Sequence, residues 1–206
     1  MEDRQIMDTG LRGVKVARTR ISHVDGEAGK LIYRGYVITD MAKKSSYEEV
    51  VHLLLHETLP GQSALDNFNK ELAAARPIDA AVVNALKSLS PQATPMDVLQ
   101  AAVPLLAVNE PGTASLVREQ SLTFAMRLIA QLATIVAAWH RIRNKKAPLP
   151  PDPELSHAAN FLYMLTGEKP DEETARLFDV CLVLHAEHSF NASTFSARQV
   201  ASTRAH

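Results

Sequence analysis

The chain has 206 residues, of which 46% are hydrophobic, and its formal net charge is −1. This length and apolar content suit one large domain or part of one, and the near-neutral charge argues against a surface dedicated to nucleic acid, which would show a basic excess. The single cysteine, Cys181, excludes an internal disulfide and multi-cysteine zinc motifs, and its place in an apolar run predicts a small core residue.

Neither a secretory signal nor a membrane span is expected. Residues 1–4 lead into no apolar segment of the signal-peptide type. The most apolar run, Leu128 to Trp139, is interrupted by Gln131 and is too short for a span. We therefore expect a soluble, cytoplasmic protein without a membrane partner.

Residues 11 to 37 predict a small β-hairpin or meander. Turn-forming residues occur at Asp25-Gly26 and Gly29. The residues around them are good strand formers. They are Val14, Val16, Ile21, Val24, Leu31, Ile32 and Tyr33.

From Ser45 onward the pattern predicts helix after helix. A Ser-x-x-Glu capping pattern within residues 45–49 starts a helix that ends near Leu59-Pro60-Gly61. Two amphipathic helices follow, divided near Arg76-Pro77. Thr94-Pro95-Met96-Asp97 combines a hydroxyl cap, a first-turn proline and an acid. The helix behind it, to about Val108, is apolar on most faces, so it is buried or packs against a partner.

The longest helix is predicted by helical spacing of apolar residues from Leu122 to His140, and it has about six or seven turns. Its C-terminal end carries a cluster of cations, which are Arg141, Arg143, Lys145 and Lys146. These cations form either an anion or cofactor-phosphate site, or a solvated group that complements the helix dipole, and the second interpretation is preferred. A proline-rich connection, 148–153, then leads to two further helices, over 155–166 and 172–184.

The segment that follows the last of these helices reads His185-Ala-Glu-His188-Ser-Phe-Asn191-Ala-Ser193-Thr194. Asn191, Ser193 and Thr194 are preferred N-cap residues, so a new helix should start among them. The free N–H groups at such a start attract a carboxylate, and His188 could donate a hydrogen bond to the same anion. The residues themselves therefore predict a small-carboxylate site, without naming the acid or the reaction.

Other chemistries find little support. His185 and His188 with Glu187 would make an incomplete metal site, and no metal is expected. No phosphate-binding glycine loop and no Gly-x-Ser-x-Gly motif occur. Four other histidines, His23, His52, His56 and His140, have no such sequence context. His52 and His56 are expected at the surface or the edge of the core. Three aromatic residues are expected in the core, namely Tyr47, Phe161 and Tyr163.

The chain resembles the citrate synthase family, most closely the bacterial group that includes 2-methylcitrate synthases. Six stretches carry this resemblance, in the family's order. They are Gly10-Leu-Arg-Gly13-Val14, Asp25-Gly26-Glu-Ala-Gly29-Lys-Leu-Ile-Tyr33-Arg-Gly35-Tyr36, Leu53-Leu-Leu-His56-x-x-Leu59-Pro60, Pro95-Met96-Asp97, Ala159-Asn160-Phe161-Leu162-Tyr163-Met164 and Leu184-His185-Ala-Glu-His188-x-x-Asn191-Ala-Ser193-Thr194. Thr94 is a departure, because relatives often have histidine there.

The resemblance implies a mainly α fold, the multi-helical large domain of citrate synthases with a small N-terminal β-hairpin. The hairpin segment would cover 1–37, and 38–206 would be helical. It implies condensation of acetyl-coenzyme A with oxaloacetate to citrate and coenzyme A. Acetyl-coenzyme A is then a co-substrate, no bound cofactor is expected, and the partners are oxaloacetate, the acyl-coenzyme A and a second copy in a homodimer.

By the same resemblance, His188 is the catalytic and substrate-binding histidine that bonds oxaloacetate, and Asn191 and Ser193 support the site histidines. The family's Gly-Pro-Leu-His-Gly-type motif, its later histidine and its aspartate base do not occur in the 206 residues. The smaller domain is missing as well. We therefore expect an N-terminal half that is inactive alone.

Two alternatives stay open. The acyl donor could be propionyl-coenzyme A, as in a 2-methylcitrate synthase. The chain could instead be a non-catalytic short relative that acts as a binding or heteromer-forming subunit, or a helical scaffold that only retains the sequence. The genomic continuation after His206 would separate a divided enzyme from a non-catalytic short relative.

Overall fold

The computed structural model describes residues 17–108 and 117–203. The predicted strand residues Val14 and Val16 lie outside these ranges. Within them, a three-stranded antiparallel sheet precedes a series of helices, so the prediction of a mainly α fold with a small N-terminal β element is confirmed.

The sheet is a meander in the order β1 (Ser22–Asp25), β2 (Lys30–Tyr33) and β3 (Tyr36–Val37). Its register pairs Ser22 with Tyr33 and Asp25 with Lys30, so residues 26–29 form the predicted turn. Gly29 has a positive φ of 61°, a conformation that glycine adopts at little cost.

The helices follow in chain order and together form most of the described structure. They are α1 (Ile38–Lys44), α2 (Tyr47–His56), α3 (Gln62–Ala74), α4 (Ala80–Ser88), α5 (Pro95–Val108), α6 (Arg118–Arg143), α7 (His157–Thr166), α8 (Glu172–His185) and α9 (Ala192–Ser202).

The predicted helix starts are confirmed by their hydrogen bonds. Ser46 and Glu49 form a reciprocal capping box, in which each side chain accepts the other residue's backbone N–H. The Thr94 hydroxyl accepts from the Asp97 N–H at 3.3 Å and donates to its carboxylate at 2.7 Å. These side chains satisfy N–H groups that have no partner inside their own helix.

The apolar interior consists of three clusters that share helices. The first joins α4, α5 and α6 around Leu86, Ala102 and Trp139. The second joins β2, α1, α2 and α8 around Tyr33 and Leu53, and the third joins α2, α3 and α6. Helix α2 therefore belongs to two clusters and holds the N-terminal sheet and α8 against the rest of the described chain.

Helix α6 is long and apolar enough to cross a membrane, judged by length and composition only. The expectation of an apolar run too short to span is therefore wrong, since the helix extends beyond residues 128–139 and Gln131 does not break it. The Gln131 amide instead donates to the Pro77 carbonyl at 3.0 Å. Helix α6 packs on α3, α4, α5 and α7, and core helices of soluble proteins can have the same length and apolar composition. The expectation that the chain has no membrane partner therefore stays a prediction.

The structure corrects one assignment at the end of α6. Arg141 is not a solvated cation, because its Nε donates to the Ala147 carbonyl at 2.6 Å and its side chain is partly buried. It therefore fastens the proline-rich connection to the helix. Arg143 is also partly buried, whereas Lys145 and Lys146 are exposed, as predicted.

The aromatic and histidine expectations are only partly met. Tyr47, Phe161 and Tyr163 are half-buried, so they lie at the edge of the core. The His52 and His56 rings lie 4.5 Å apart between centroids and are tilted by 33°. His52 is partly buried and His56 is exposed, which confirms their expected location at the surface or the edge of the core.

Buried polar side chains lock the helices to one another. Glu48 on α2 accepts the backbone N–H of His157, the first residue of α7, at 2.7 Å. Asp179 on α8 accepts the N–H of Tyr47, the first residue of α2, at 2.9 Å. Each carboxylate therefore caps a helix distant in sequence. Arg176 completes the junction by donating to Asp179 at 2.6 Å and to the Ser45 carbonyl at 2.9 Å.

His157 makes this junction sensitive to pH. Burial, with the Arg76 charge as a smaller cause, lowers the pKa of His157 to about 4. In the unfolded chain its pKa is about 6.5. Between these values the unfolded state binds more protons, so the free energy of unfolding should fall as the pH falls, by about 3 kcal/mol in full. Burial raises the pKa of Glu48, which works in the opposite sense.

A comparison of variants isolates the histidine contribution. His157→Phe keeps an aromatic ring against Tyr47 (centroid distance 5.2 Å in the native chain) but cannot titrate. We expect urea unfolding to show a weaker pH dependence for this variant than for the native chain between pH ~7 and ~4.5. His140→Gln, at an exposed histidine, is the control and should keep the native slope. Equal slopes for the native chain and His157→Phe would contradict the assignment.

Candidate functional site

The candidate site is the connection between α8 and α9, residues 186–191, together with the first turn of α9. Helix α9 begins at Ala192, and Asn191 is its N-cap. The predicted helix start among residues 191–194 is therefore confirmed. His188 lies in the connection and is exposed.

Tyr33 of β2, which is fully buried, fixes the start of this connection by two hydrogen bonds. Its hydroxyl donates to the Leu184 carbonyl at 3.3 Å and accepts the Glu187 N–H at 3.2 Å. Burial is the main cause that raises the pKa of this phenol, so the proton it donates is retained at all ordinary pH values. Tyr33 thus connects the last turn of α8 to the residue before His188.

Glu187 shapes the turn itself. Both of its carboxylate oxygens accept the Ser189 N–H, each at 2.8 Å. Ser189 has a φ of +75°, which is uncommon for a residue other than glycine. The charge-assisted bond offsets that conformational cost and reverses the chain direction next to His188.

Asn191 contacts both the helix and the histidine. Its Oδ1 accepts the Thr194 N–H at 2.7 Å, which caps α9. Its Nδ2 lies 3.3 Å from Nε2 of His188. The structure therefore brings together His188 and Asn191, two of the residues predicted for the site.

Ser193 and His185 have different positions. Ser193 is exposed in the first turn of α9, and its hydroxyl forms no hydrogen bond within 17–108 and 117–203. His185 ends α8 and its Nδ1 lies 2.7 Å from the Cys181 carbonyl, one turn earlier. That bond gives the imidazole a partner within α8, which agrees with leaving His185 without a chemical role.

The prediction that Cys181 is a core residue is wrong, because this thiol is free and exposed. The run 177–184 turns Asp179 and Val183 inward, four residues apart on one face of α8. Leu177 and Leu184 face outward and are 66% and 42% exposed. Asp179 occupies the buried position because its carboxylate has two donors there, the Tyr47 N–H and the Arg176 guanidinium.

Sequence reasoning also missed Tyr33 as a site residue. Its ring looked like an ordinary strand side chain, and its two partners lie 151 and 154 residues away in the sequence. A tyrosine among the predicted strand residues was the available signal, because a tyrosine that becomes buried usually finds a hydrogen-bond partner for its hydroxyl.

This arrangement suits a small anion. The N–H groups of Ala192 and Ser193 have no intrahelical acceptor by helix geometry, and they carry the positive end of the α9 dipole. His188 lies four residues before Ala192, the first residue of this helix. Arg198, on the same helix, lies over the Phe190 ring at 5.4 Å.

Across the described ranges, no group of three or more histidine, cysteine or acidic side chains could hold a metal ion.

The sequence matches a family model described as citrate synthase, C-terminal domain, over residues 10–206. A citrate synthase from Haloferax volcanii is 46% identical over 198 residues, which are 94% of this chain and 52% of that protein. A citrate/2-methylcitrate synthase from Bacillus subtilis is 36% identical over 203 residues, which are 98% of this chain and 55% of that protein. The chain thus spans about half the length of these relatives.

Solved structures give the same result. The Pyrobaculum aerophilum citrate synthase superimposes with a TM-score of 0.88 at 37% identity, over 95% of this chain and 51% of that one. The Thermoplasma acidophilum citrate synthase, in a ternary complex with carboxymethyl coenzyme A and oxaloacetate, gives a TM-score of 0.87 at 26% identity, over 93% and 50%. The family match over residues 10–206, and the fold shared with these enzymes, show that this chain belongs to the citrate synthase family.

Proposed function

We propose that this chain is the N-terminal portion of an acyltransferase that condenses acetyl-coenzyme A with oxaloacetate and releases citrate and coenzyme A. The observation that carries the proposal is His188, exposed beside the start of α9 in a chain similar to citrate synthases over nearly its whole length. Relatives include a citrate/2-methylcitrate synthase, so propionyl-coenzyme A is the alternative donor.

In this proposal, His188 donates a hydrogen bond to oxaloacetate, and the start of α9 adds a positive potential. Neither group reacts. Both place the dicarboxylate so that its ketone carbon meets the nucleophile formed when a base removes a proton from the acyl α-carbon. The new carbon–carbon bond makes a citryl thioester, which water cleaves to citrate and free thiol. The base for the first step is assigned to the half of the enzyme that the resemblance places after this portion.

The first prediction concerns activity. The purified 206-residue chain should release thiol from acetyl-coenzyme A and oxaloacetate only at the background rate, because no residue of the chain is assigned as the base. The measurement is a thiol-release assay on protein of verified intact mass, with a full-length citrate synthase as the positive control. Turnover well above background would overturn this division of roles.

The second prediction concerns His188 in a full-length enzyme that contains this segment. His188→Ala should reduce kcat/KM for oxaloacetate about 10- to 100-fold, since a charge-assisted hydrogen bond contributes about 1.5–3 kcal/mol. His185→Ala is the matched control, because this exposed histidine three residues earlier bonds only a helix carbonyl. Unchanged kinetics for His188→Ala would rule out its role.

We also propose that the chain self-associates as a homodimer. Large apolar side chains lie exposed on helices that already bury one face elsewhere. Met96 and Val108 on α5 are 71% and 78% exposed, Val136 on α6 is 38% exposed, and Leu177 on α8 is 66% exposed. Exposed apolar area of this kind marks an interface or an aggregation liability, and isologous pairing would cover it with the same residues of a second copy.

The third prediction of this section tests that association. Light scattering at tens of micromolar should give at least twice the mass of one chain. Val136→Asp should shift the distribution toward monomer, because it places a charge in the apolar face. Ser121→Asp adds the same charge at an exposed polar position of the same helix and should leave the mass unchanged. A native chain that is a clean monomer with little binding of a hydrophobic dye would contradict the proposal.

A further inference from the structure

The two hydrogen-bonding atoms of the Asn191 amide can be told apart from their surroundings. The side-chain oxygen of Asn191 accepts the Thr194 backbone N–H at 2.7 Å. A backbone N–H only donates, so the atom facing it must be the oxygen. The cap therefore settles the amide orientation, which is otherwise ambiguous for asparagine. The NH2 group must then occupy the other position, toward His188.

This orientation decides which nitrogen of His188 carries a proton. The Asn191 Nδ2 lies 3.3 Å from His188 Nε2. An amide NH2 has no lone pair to offer, so the contact is a hydrogen bond only if Nε2 accepts. A neutral imidazole that accepts at Nε2 has its proton on Nδ1.

We infer that Asn191 holds His188 in the tautomer protonated on Nδ1, so that the hydrogen bond His188 offers to an anion comes from Nδ1. Nε2 is screened by the capping amide. Asn191 is then a positioning residue that acts through His188, and the bound anion lies on the Nδ1 side of the ring. The proposed function enters only in identifying that anion as oxaloacetate, and the tautomer itself needs no ligand.

The chain contains an internal reference. His185 Nδ1 lies 2.7 Å from the Cys181 carbonyl, which only accepts. His185 is therefore also protonated on Nδ1, for a reason independent of Asn191. The two histidines are three residues apart and both are exposed, so they differ mainly in the partner that sets the tautomer.

Two substitutions keep the cap and change the partner of His188. Asn191→Asp retains an oxygen for the Thr194 N–H, since aspartate is as good an N-cap as asparagine, but it faces Nε2 with an acceptor. Asn191→Ser retains a capping hydroxyl and removes the group that reaches the ring. Both leave the His185 contact untouched.

The measurement is long-range proton–nitrogen NMR on the 206-residue chain without ligand, at a pH of about 8, where an ordinary histidine is neutral. Nitrogen shifts distinguish the two tautomers and the imidazolium. We expect the native His188 to be protonated on Nδ1. In Asn191→Asp it should be protonated on Nε2, and in Asn191→Ser it should relax to the mixture of a free imidazole, in which the Nε2–H form predominates. His185 should keep the Nδ1–H signature throughout.

A native His188 protonated on Nε2, or present as a mixture, would overturn the inference. So would an unchanged Nδ1–H signature in Asn191→Asp while His185 reports an intact α8 end. If Asn191→Asp loses the His185 signature, Asn191→Ser decides: the free mixture supports the inference and a persistent Nδ1–H form contradicts it. Failure of this test leaves the effect of His188→Ala on oxaloacetate kinetics a separate question, so the two proposals fail independently.

Discussion

The architecture depends on two buried carboxylates that cap helices far from them in sequence. Glu48 and Asp179 are only 5% and 7% exposed, and each would be costly to bury without donors. The donors are the free N–H groups at the starts of α7 and α2, which have no partner in their own helices. Each contact removes two unsatisfied groups at once and is directional, so it sets how α2, α7 and α8 lie against each other more narrowly than apolar packing does.

This junction determines where His188 stands. With α8 fixed against α2, Val183 reaches the cluster that also contains Tyr33, and the end of α8 comes within hydrogen-bond distance of the Tyr33 hydroxyl. Tyr33 then holds the Glu187 N–H, and Glu187 folds the turn at Ser189. The placement of an exposed histidine therefore depends on a chain of buried contacts that begins on a different helix. These hydrogen bonds fix the backbone before and after His188, although the residue lies on a surface connection.

The sequence predicted contacts between residues that are close in the chain, and it did not predict contacts between residues that are far apart in the chain. The Ser46–Glu49 box and the Asn191 cap were recognisable, because a cap and its target lie three residues apart. The Glu48 and Asp179 contacts span 109 and 132 residues, and no local pattern shows which distant helix start a carboxylate will meet. Cys181 shows that a distant contact can also make a local prediction wrong. Hydrophobicity predicted its burial, but the inward position on α8 belongs to Asp179, whose donors come from elsewhere in the chain. The citrate synthase resemblance supplied the expected role of His188 and the expectation that Asn191 supports it, but not the Tyr33 and Glu187 contacts that place its backbone.

The candidate site and the exposed apolar surface differ in whether the described residues complete them. Asn191 reaches both the Thr194 N–H and His188 within three residues, so the same local contact that starts α9 also orients the histidine. This contact is local in sequence, although the backbone that carries His188 is placed by the Tyr33 and Glu187 contacts. The outward faces of α5, α6 and α8 are different, because their apolar side chains are left exposed by the described residues and only another surface can cover them. The His188–Asn191 contact is thus complete within the described residues, whereas the apolar faces of α5, α6 and α8 need a second surface to cover them.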